Sequence, residues 1–498
     1  MNTAPFQRCC LLVLLLAASA CPAPKPGGDG GGTSSSSGSV GSGSSAGVPV
    51  SSSAAAGTSG AGPSSASGGP TSALSSSGTG ASASVPGPSS SVSAPSSFPP
   101  AASSTGPAPS SAVPLSSSFA SPSSGGTGSS SGASPACAAG FRQAPLLSVP
   151  KGATAVVAAD LDGDGHLDLG VGNGLQGSVS VFLGAGDGTF TSPTDHLVGS
   201  YPGSLLALDV NDDAFTDLVT ANHDSGTVSV LLGTGTGTFQ AAVHSTAAPG
   251  TRAVAAGLVN ADTQPDLVVT GDTVPGGGVG VLLGNGDGTF QAVSMQSSNS
   301  PAWLALSDLD RNGTRDLLVA SANGGANLAA MAGNGDGTFQ AAVTVSLAFA
   351  PAALLALDAN GDDKPDVAVA DYAGSRVGVL LGNGNRTFGA AALYATGTFP
   401  GALASGDLDG DGVTDVAVTS YFTYDAGEIS IGNVRVLHGV GDGTFQTPSA
   451  WVPVNFPSAL AAGDLDGDGR LDLAVTSYAN DATGTAAGAV LVLLGCTP

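Results

Sequence analysis

A pattern of acidic residues returns seven times at an almost constant interval, and that period constrains the chain more than any other feature. The first copy reads Asp160-Leu-Asp162-Gly-Asp164-Gly-His166-Leu-Asp168, with carboxylates at positions 1, 3, 5 and 9 of a nine-residue loop. Position 1 falls at Asp160, Asp209, Leu258, Asp308, Asp358, Asp407 and Asp464, at spacings of 49, 49, 50, 50, 49 and 57 residues. A period near 50 residues means a modular array, in which each unit buries its apolar surface against its neighbours.

The units share one anatomy. A proline (Pro150, Pro202, Pro249, Pro301, Pro351, Pro400 or Pro457) precedes an Ala/Leu-rich run, and the acidic loop follows. Next come a second run such as Asp217-Leu-Val-Thr220, a third such as Val279-Gly-Val-Leu-Leu283, and a glycine turn ending in an aromatic, as in Gly284-Asn-Gly-Asp-Gly-Thr-Phe290. A fourth short run closes the unit. Short β-prone runs punctuated by glycine read as strands, and four antiparallel strands per repeat make a propeller blade, so the expected fold is all-β, a seven-bladed β-propeller. The small residues of the first runs, as in Ala402-Leu-Ala-Ser-Gly406, suit an element crowded near a central axis.

Carboxylates alternating with small residues can wrap one hard cation, offering oxygens from positions 1, 3, 5 and 9 and a backbone carbonyl from position 7, which is calcium chemistry. The flanks are strands and no Glu stands at position 12, so the loop is not an EF-hand. Three copies are complete: Asp160, Asp162, Asp164 and Asp168 with the His166 carbonyl; Asp407, Asp409, Asp411 and Asp415 with Val413; Asp464, Asp466, Asp468 and Asp472 with Arg470. Three have one Asn and are expected to bind more weakly: Asp209, Asn211, Asp213 and Asp217 with Phe215; Asp308, Asp310, Asn312 and Asp316 with Thr314; Asp358, Asn360, Asp362 and Asp366 with Lys364. Copy 3 keeps only Asn260, Asp262 and Asp266 beside Leu258 and is expected to bind no ion. The expected cofactor is therefore structural Ca²⁺ at up to six sites. Four converging carboxylates repel one another until a cation lets the loop close, so the ion fixes blade shape and does no chemistry.

With these residues, residues 137–498 resemble the FG-GAP and VCBS-type repeat proteins, whose calcium-loop blades also build the head of integrin α-subunits. The resemblance implies a seven-bladed propeller with the calcium loops between the first and second strands of the blades. It also implies that the loops after the second strands, and those before the first strands (Tyr201, Phe399, Phe456), share the opposite face.

The termini suggest how the ring closes. The last copy stops at Leu493-Leu-Gly-Cys496 where others continue Gly-Asp-Gly-Thr-Phe, while Phe141-Arg-Gln-Ala144 matches the Phe-Gln-Ala-Ala that is expected to open the fourth strand elsewhere. Residues 141–150 are therefore expected to complete the last blade. Cys496 and Cys137 take the places of Asn285 and Gly286 at the hairpin tip, where a disulfide would replace the turn.

Residues 22–136 are almost wholly Ser, Gly, Ala and Pro, with Lys25 and Asp29 as the only charges. Such a composition cannot bury enough apolar surface to form a core, so residues 21–136 are expected to be a disordered tether reaching roughly 55–65 Å. Before it, residues 1–20 carry Arg8, the apolar run Leu11–Ala17 and Ala18-Ser-Ala20, the pattern of a secretory signal peptide and too short to span a membrane. Ala18-Ser-Ala-Cys21 resembles a bacterial lipoprotein signal, with Ala18 where that family usually has Leu, and implies an exported surface protein lipidated on Cys21. Cys137 and Cys496 are then the remaining pair, in a compartment that permits a disulfide.

The formal charge is −25, and 23 of the 37 acids occupy the ligand positions of the periodic loops. That balance excludes nucleic acid as a partner and points to metal binding. The five histidines do not recur at one position, no Gly-x-Ser-x-Gly elbow occurs within the repeats, and no cysteine is left as a nucleophile, so the chain is not expected to be an enzyme. One position stands out, six residues after position 9: Gly174, His223, Asp272, Ala322, Tyr372, Tyr421 and Tyr478. Three consecutive blades present Tyr there, and copy 6 adds Phe422, Tyr424, Asp425 and Glu428 in an insertion. Tyr372, Tyr421, Phe422, Tyr424 and Tyr478 are the candidate contacts to a glycan or protein ligand, and packing between blades is the competing role for these tyrosines. The expectation is a monomeric cell-surface binding or adhesion module; the alternatives are the propeller of a polysaccharide- or lipid-degrading enzyme and a purely structural surface protein.

Overall fold

The computed structural model describes residues 137, 140–273, 277–296, 301–321, 326–425, 428–430, 432–448, 451–479 and 486–496, with the backbone alone for 422–425, 428–430 and 451. The expected signal peptide, Cys21 and tether lie outside the described residues. So do the side chains of Phe422 and Tyr424.

Seven antiparallel sheets, one per repeat, make up these residues. Blade 1 consists of Ala153–Ala159, Asp168–Asn173, Ser178–Phe182 and Thr194–Leu197, paired in sequence order. Blades 2 to 5 repeat that order, with first strands Pro202–Leu208, Thr251–Gly257, Pro301–Ser307 and Pro351–Leu357. Blade 6 starts with Thr398–Gly406, and its second strand, Asp415–Asp425, is prolonged by a short ladder with Glu428–Ser430, the insertion that lengthens the sixth spacing. Blade 7 takes Pro457–Gly463, Asp472–Ser477 and Gly488–Gly495 from one end of the chain and Phe141–Gln143 and Leu147–Val149 from the other. The first strand of each blade packs on those of its two neighbours, and Pro457–Gly463 packs on Ala153–Ala159, which closes a seven-bladed β-propeller.

The strand sequences explain their places. Second strands such as Asp217–Asn222 are buried at every residue, and so on both faces, as the middle of a stacked blade requires. Fourth strands such as Thr194–Leu197 are mostly exposed and form the outer edge. Every pairing of first and second strand shifts register near its start, as between Ala153 and Ala155, which bends the inner strand. Blades then join through apolar clusters: Ala155, Leu161, Val179 and Val181 of blade 1 meet Leu205, Leu218 and Leu231 of blade 2. The first strands surround a cavity of about 710 Å³ lined by Val156, Leu205, Ala256, Leu355, Leu403 and Leu460, among others.

Cys137 and Cys496 form a disulfide with an S–S distance of 2.02 Å and a sequence separation of 359. Beside it the Cys496 N–H donates to the Gly140 carbonyl at 2.9 Å, the bond that the Asn285 N–H makes to Thr289 in an uninterrupted hairpin.

Candidate metal centres and the opposite face

The acidic loops all lie between the first and second strands, on one face of the ring. Within them position 9 behaves unlike the rest. Its side chain is buried in all seven copies: Asp168, Asp217, Asp266, Asp316, Asp366, Asp415 and Asp472. In each, one carboxylate oxygen accepts the N–H of position 2, as at Leu161 (2.8 Å), Val259 (3.0 Å) and Leu465 (2.7 Å). The other accepts the N–H that opens the hairpin after the third strand, as at Gly184 (2.7 Å), Gly284 (2.9 Å) and Gly495 (2.6 Å). Copy 3, which lacks most of the other acids, makes both bonds. Position 9 thus pins the loop to its own sheet whether or not an ion binds, and each oxygen keeps a second lone pair for a cation.

Position 2 carries the loop to the neighbouring blade. Its side chain is buried, and its carbonyl accepts a hairpin N–H from the next blade: Gly237 to Leu161, Gly337 to Val259, Arg386 to Leu309 and Gly188 to Leu465. The acidic loop is therefore a seam between blades as well as a turn within one.

The remaining acids converge unequally. Donor oxygens lie within 4.8 Å of one another for Asp160, Asp162 and Asp168 in loop 1, Asp308, Asp310 and Asp316 in loop 4, Asp407, Asp409 and Asp411 in loop 6, and Asp464, Asp466 and Asp472 in loop 7. These clusters could hold a metal ion. Two further observations suit a cation in the loops: the position 3 oxygens Asn211 Oδ1 and Asp310 Oδ1 are buried without a hydrogen-bond partner. Burial, reinforced by the neighbouring acids, also pushes Asp168 and Asp217 up to about 6 and Asp472 up to about 7, against the pull of their backbone N–H donors. A nearby dication would favour the ionised forms.

Basic side chains enter four loops, and these contacts lie beyond what the repeat pattern alone specifies. Arg142 of the closing strand reaches Asp466 at 2.7 Å, and Lys364 reaches Asp362 at 2.6 Å. Arg386 of the blade 5 hairpin sits 3.1 Å from Asp310 of loop 4, with its own backbone at φ 65° where five other hairpins have glycine. His438 lies 3.1 Å from Asp409 and 3.4 Å from Asp415, and hydrogen bonding to Asp415 raises its pKa.

The opposite face carries the aromatic position. Tyr372 lies against Phe399 with ring centroids 4.5 Å apart, and Tyr421 lies edge-on to Phe456 at 5.6 Å, so both tyrosines pack across blade boundaries. Tyr478 bonds through its backbone, accepting from Gly152 and donating to Phe456. Tyr201, Phe399 and Phe456, each at the entry to a first strand, have φ of 59°, 57° and 43°. Bulky side chains rarely adopt the left-handed region, and such residues tend to gather at functional surfaces.

Blades 2 to 4 hold a cluster on this face. His223 bonds Asp224 through Nδ1 at 2.7 Å and Asp272 through Nε2 at 3.1 Å, and Arg252 donates to Asp272 at 3.2 Å while its guanidinium lies 5.4 Å from the Trp303 ring centroid. Tyr201 stands edge-on to His223. The Asp272 hydrogen bond raises the His223 pKa; burial pushes Asp272 up, but His223 and Arg252 outweigh it and hold that carboxyl low. The signal for this cluster is in the sequence, since His223 and Asp272 occupy the same position in consecutive blades and so become neighbours in the ring.

No curated protein matches the chain. Among solved structures, BBS1N in complex with ARL6DN, in a mercury-soaked crystal, aligns with a TM-score of 0.50 at 14% identity over 72% of this chain and 97% of that one. A virginiamycin B lyase from Staphylococcus aureus aligns with a TM-score of 0.47 at 10% identity over 71% and 98%. At 14% identity the likeness to BBS1N is one of fold. The FG-GAP-like repeat matches residues 160–220, 209–269, 259–319, 308–369 and 358–418, and the FG-GAP repeat matches 456–493, together more than half of the sequence. The seven acidic loops, the seven blades and these matches agree: the chain belongs to the FG-GAP repeat family.

Proposed function

We propose that the protein is an exported, calcium-stabilised propeller that acts at the cell surface as a binding or adhesion module, gripping a glycan or protein ligand on the face opposite the acidic loops. The observation that carries this reading is the set of left-handed aromatics at the blade entries, Tyr201, Phe399 and Phe456, each packed against an aromatic ring of the blade beside it or its own, His223, Tyr372 and Tyr421. Ring pairs held in a costly backbone conformation present rigid, amphipathic surface on this face, the kind that stacks on sugars or anchors a protein interface. Lipidation at Cys21 would hold the module to a membrane, and calcium in the loops would set the blade geometry beneath the patch. The test is a glycan and surface-protein binding screen run with calcium and with EDTA. Calcium-dependent binding that Tyr421→Ala abolishes and Tyr421→Phe retains supports the reading; no ligand on any array, or binding indifferent to Tyr421, refutes it.

One observation favours a second reading, catalysis on the same face: His223 sits between two carboxylates with Arg252 and Tyr201 beside it. Turnover of a bound polysaccharide that His223→Gln removes would establish it.

A further inference from the structure

The residue that precedes the hairpin glycine at the end of the third strand is Leu183, Leu232, Leu283, Leu381 and Leu494 in five blades and Ala332 in a sixth. In blade 6 it is His438. Its Nδ1 lies 3.1 Å from Asp409 Oδ2 and 3.4 Å from Asp415 Oδ2, and the three donors fall within 4.8 Å of one another. Among the described residues this is the one loop cluster that contains a nitrogen donor.

We infer that loop 6 is a transition-metal site of the zinc class, set apart by His438 from the calcium-type loops of the other blades. The inference rests on reading the loops as cation sites. Calcium takes oxygen ligands, whereas imidazole nitrogen suits zinc and its neighbours in the first transition row. Donors 3.1 Å and 3.4 Å from the imidazole nitrogen are close enough for one ion to contact all three. Asp407 and Asp411, clustered with Asp409, supply further oxygens from the same loop. A half-exposed imidazole on one element thus meets carboxylates on another, and the ion can enter from solvent without disturbing the blade.

The chain stripped of metal is titrated with Zn²⁺ against a chromophoric chelator, in excess Ca²⁺, and separately with Ca²⁺ alone. Wild type takes up one zinc per chain, and Co²⁺ in its place gives visible absorption with a nitrogen-ligand signature. His438→Leu, which installs the residue five other blades carry, weakens zinc binding by about tenfold or more and removes the cobalt band. Its far-UV circular dichroism and its calcium-dependent rise in melting temperature stay as in wild type. His438→Gln gives the same loss if the leucine variant misfolds. Calcium binding without zinc binding, or zinc binding indifferent to His438, overturns the inference alone; no binding of either ion overturns the reading of the loops with it.

Discussion

The pin formed by position 9 can be tested in the one copy where metal is not expected to contribute. Asp266 is buried and accepts the Val259 N–H at 3.0 Å and the Gly284 N–H at 2.9 Å. Asp266→Ala leaves two buried donors unsatisfied at about 1–3 kcal/mol each. Burial raises the pKa of Asp266, so the fold works against its charge, and removing that charge offsets part of the loss. The expected net destabilisation is about 2–4 kcal/mol, a large share of a typical folding free energy. Urea unfolding in calcium and in EDTA measures it. The Asp266→Ala deficit is the same in both media, because Leu258 leaves this loop without its first ligand. Asp472→Ala, which removes the equivalent pin and a member of a convergent cluster, loses more in calcium than in EDTA. A deficit at Asp266 below about 0.5 kcal/mol, the range of ordinary surface substitutions, would refute the pin. So would a deficit that depends on calcium as strongly as that of Asp472→Ala.

Three other outcomes follow from the geometry. In EDTA, the carboxyls raised to about 6 and 7 at Asp168, Asp217 and Asp472 bind protons more tightly folded than unfolded, so melting temperature falls as pH rises from about 4 to 7. Added calcium restores it at pH 7 and has little effect near pH 4, which differential scanning calorimetry reads directly. Reducing the Cys137–Cys496 disulfide, separated by 359 residues, lowers stability by about 5–6 kcal/mol on loop entropy, visible as a shift in urea midpoint with dithiothreitol. Arg386→Gly removes both a left-handed arginine and the cation beside Asp310, and calorimetric titration records tighter calcium binding at loop 4.

The fold was legible because its signals repeat: one acidic loop is ambiguous, but seven in register, the first six each followed by Gly-x-Gly-x-Gly-Thr-Phe or a close variant, define strand order and blade count together. The roles of single residues were less legible. Asp266 persists in the copy that has lost position 1, a hint that position 9 has work apart from metal, yet only the two N–H bonds reveal what that work is. Tyr372 and Tyr421 were marked by their shared position, but their packing on Phe399 and Phe456 depends on which blade entry the ring brings alongside. The contacts of Arg142, Arg386 and His438 with acidic loops likewise depend on close approach between separate elements, which spacing within a repeat does not encode.

The closure of blade 7 has a mechanical consequence. Whatever precedes Cys137 pulls on the propeller through that residue, four positions before the strand Phe141–Gln143 that pairs with Gly495–Leu493. Without a covalent bond, tension applied there would peel this strand from its ladder one hydrogen-bonded pair at a time and open the blade that closes the ring. With Cys137 bonded to Cys496, the load passes to the opposite end of the chain and into the buried strand Gly488–Gly495 before it reaches the ladder. The ring therefore meets a pull as a sheet loaded in its middle, and the joint between its two ends is its reinforced point.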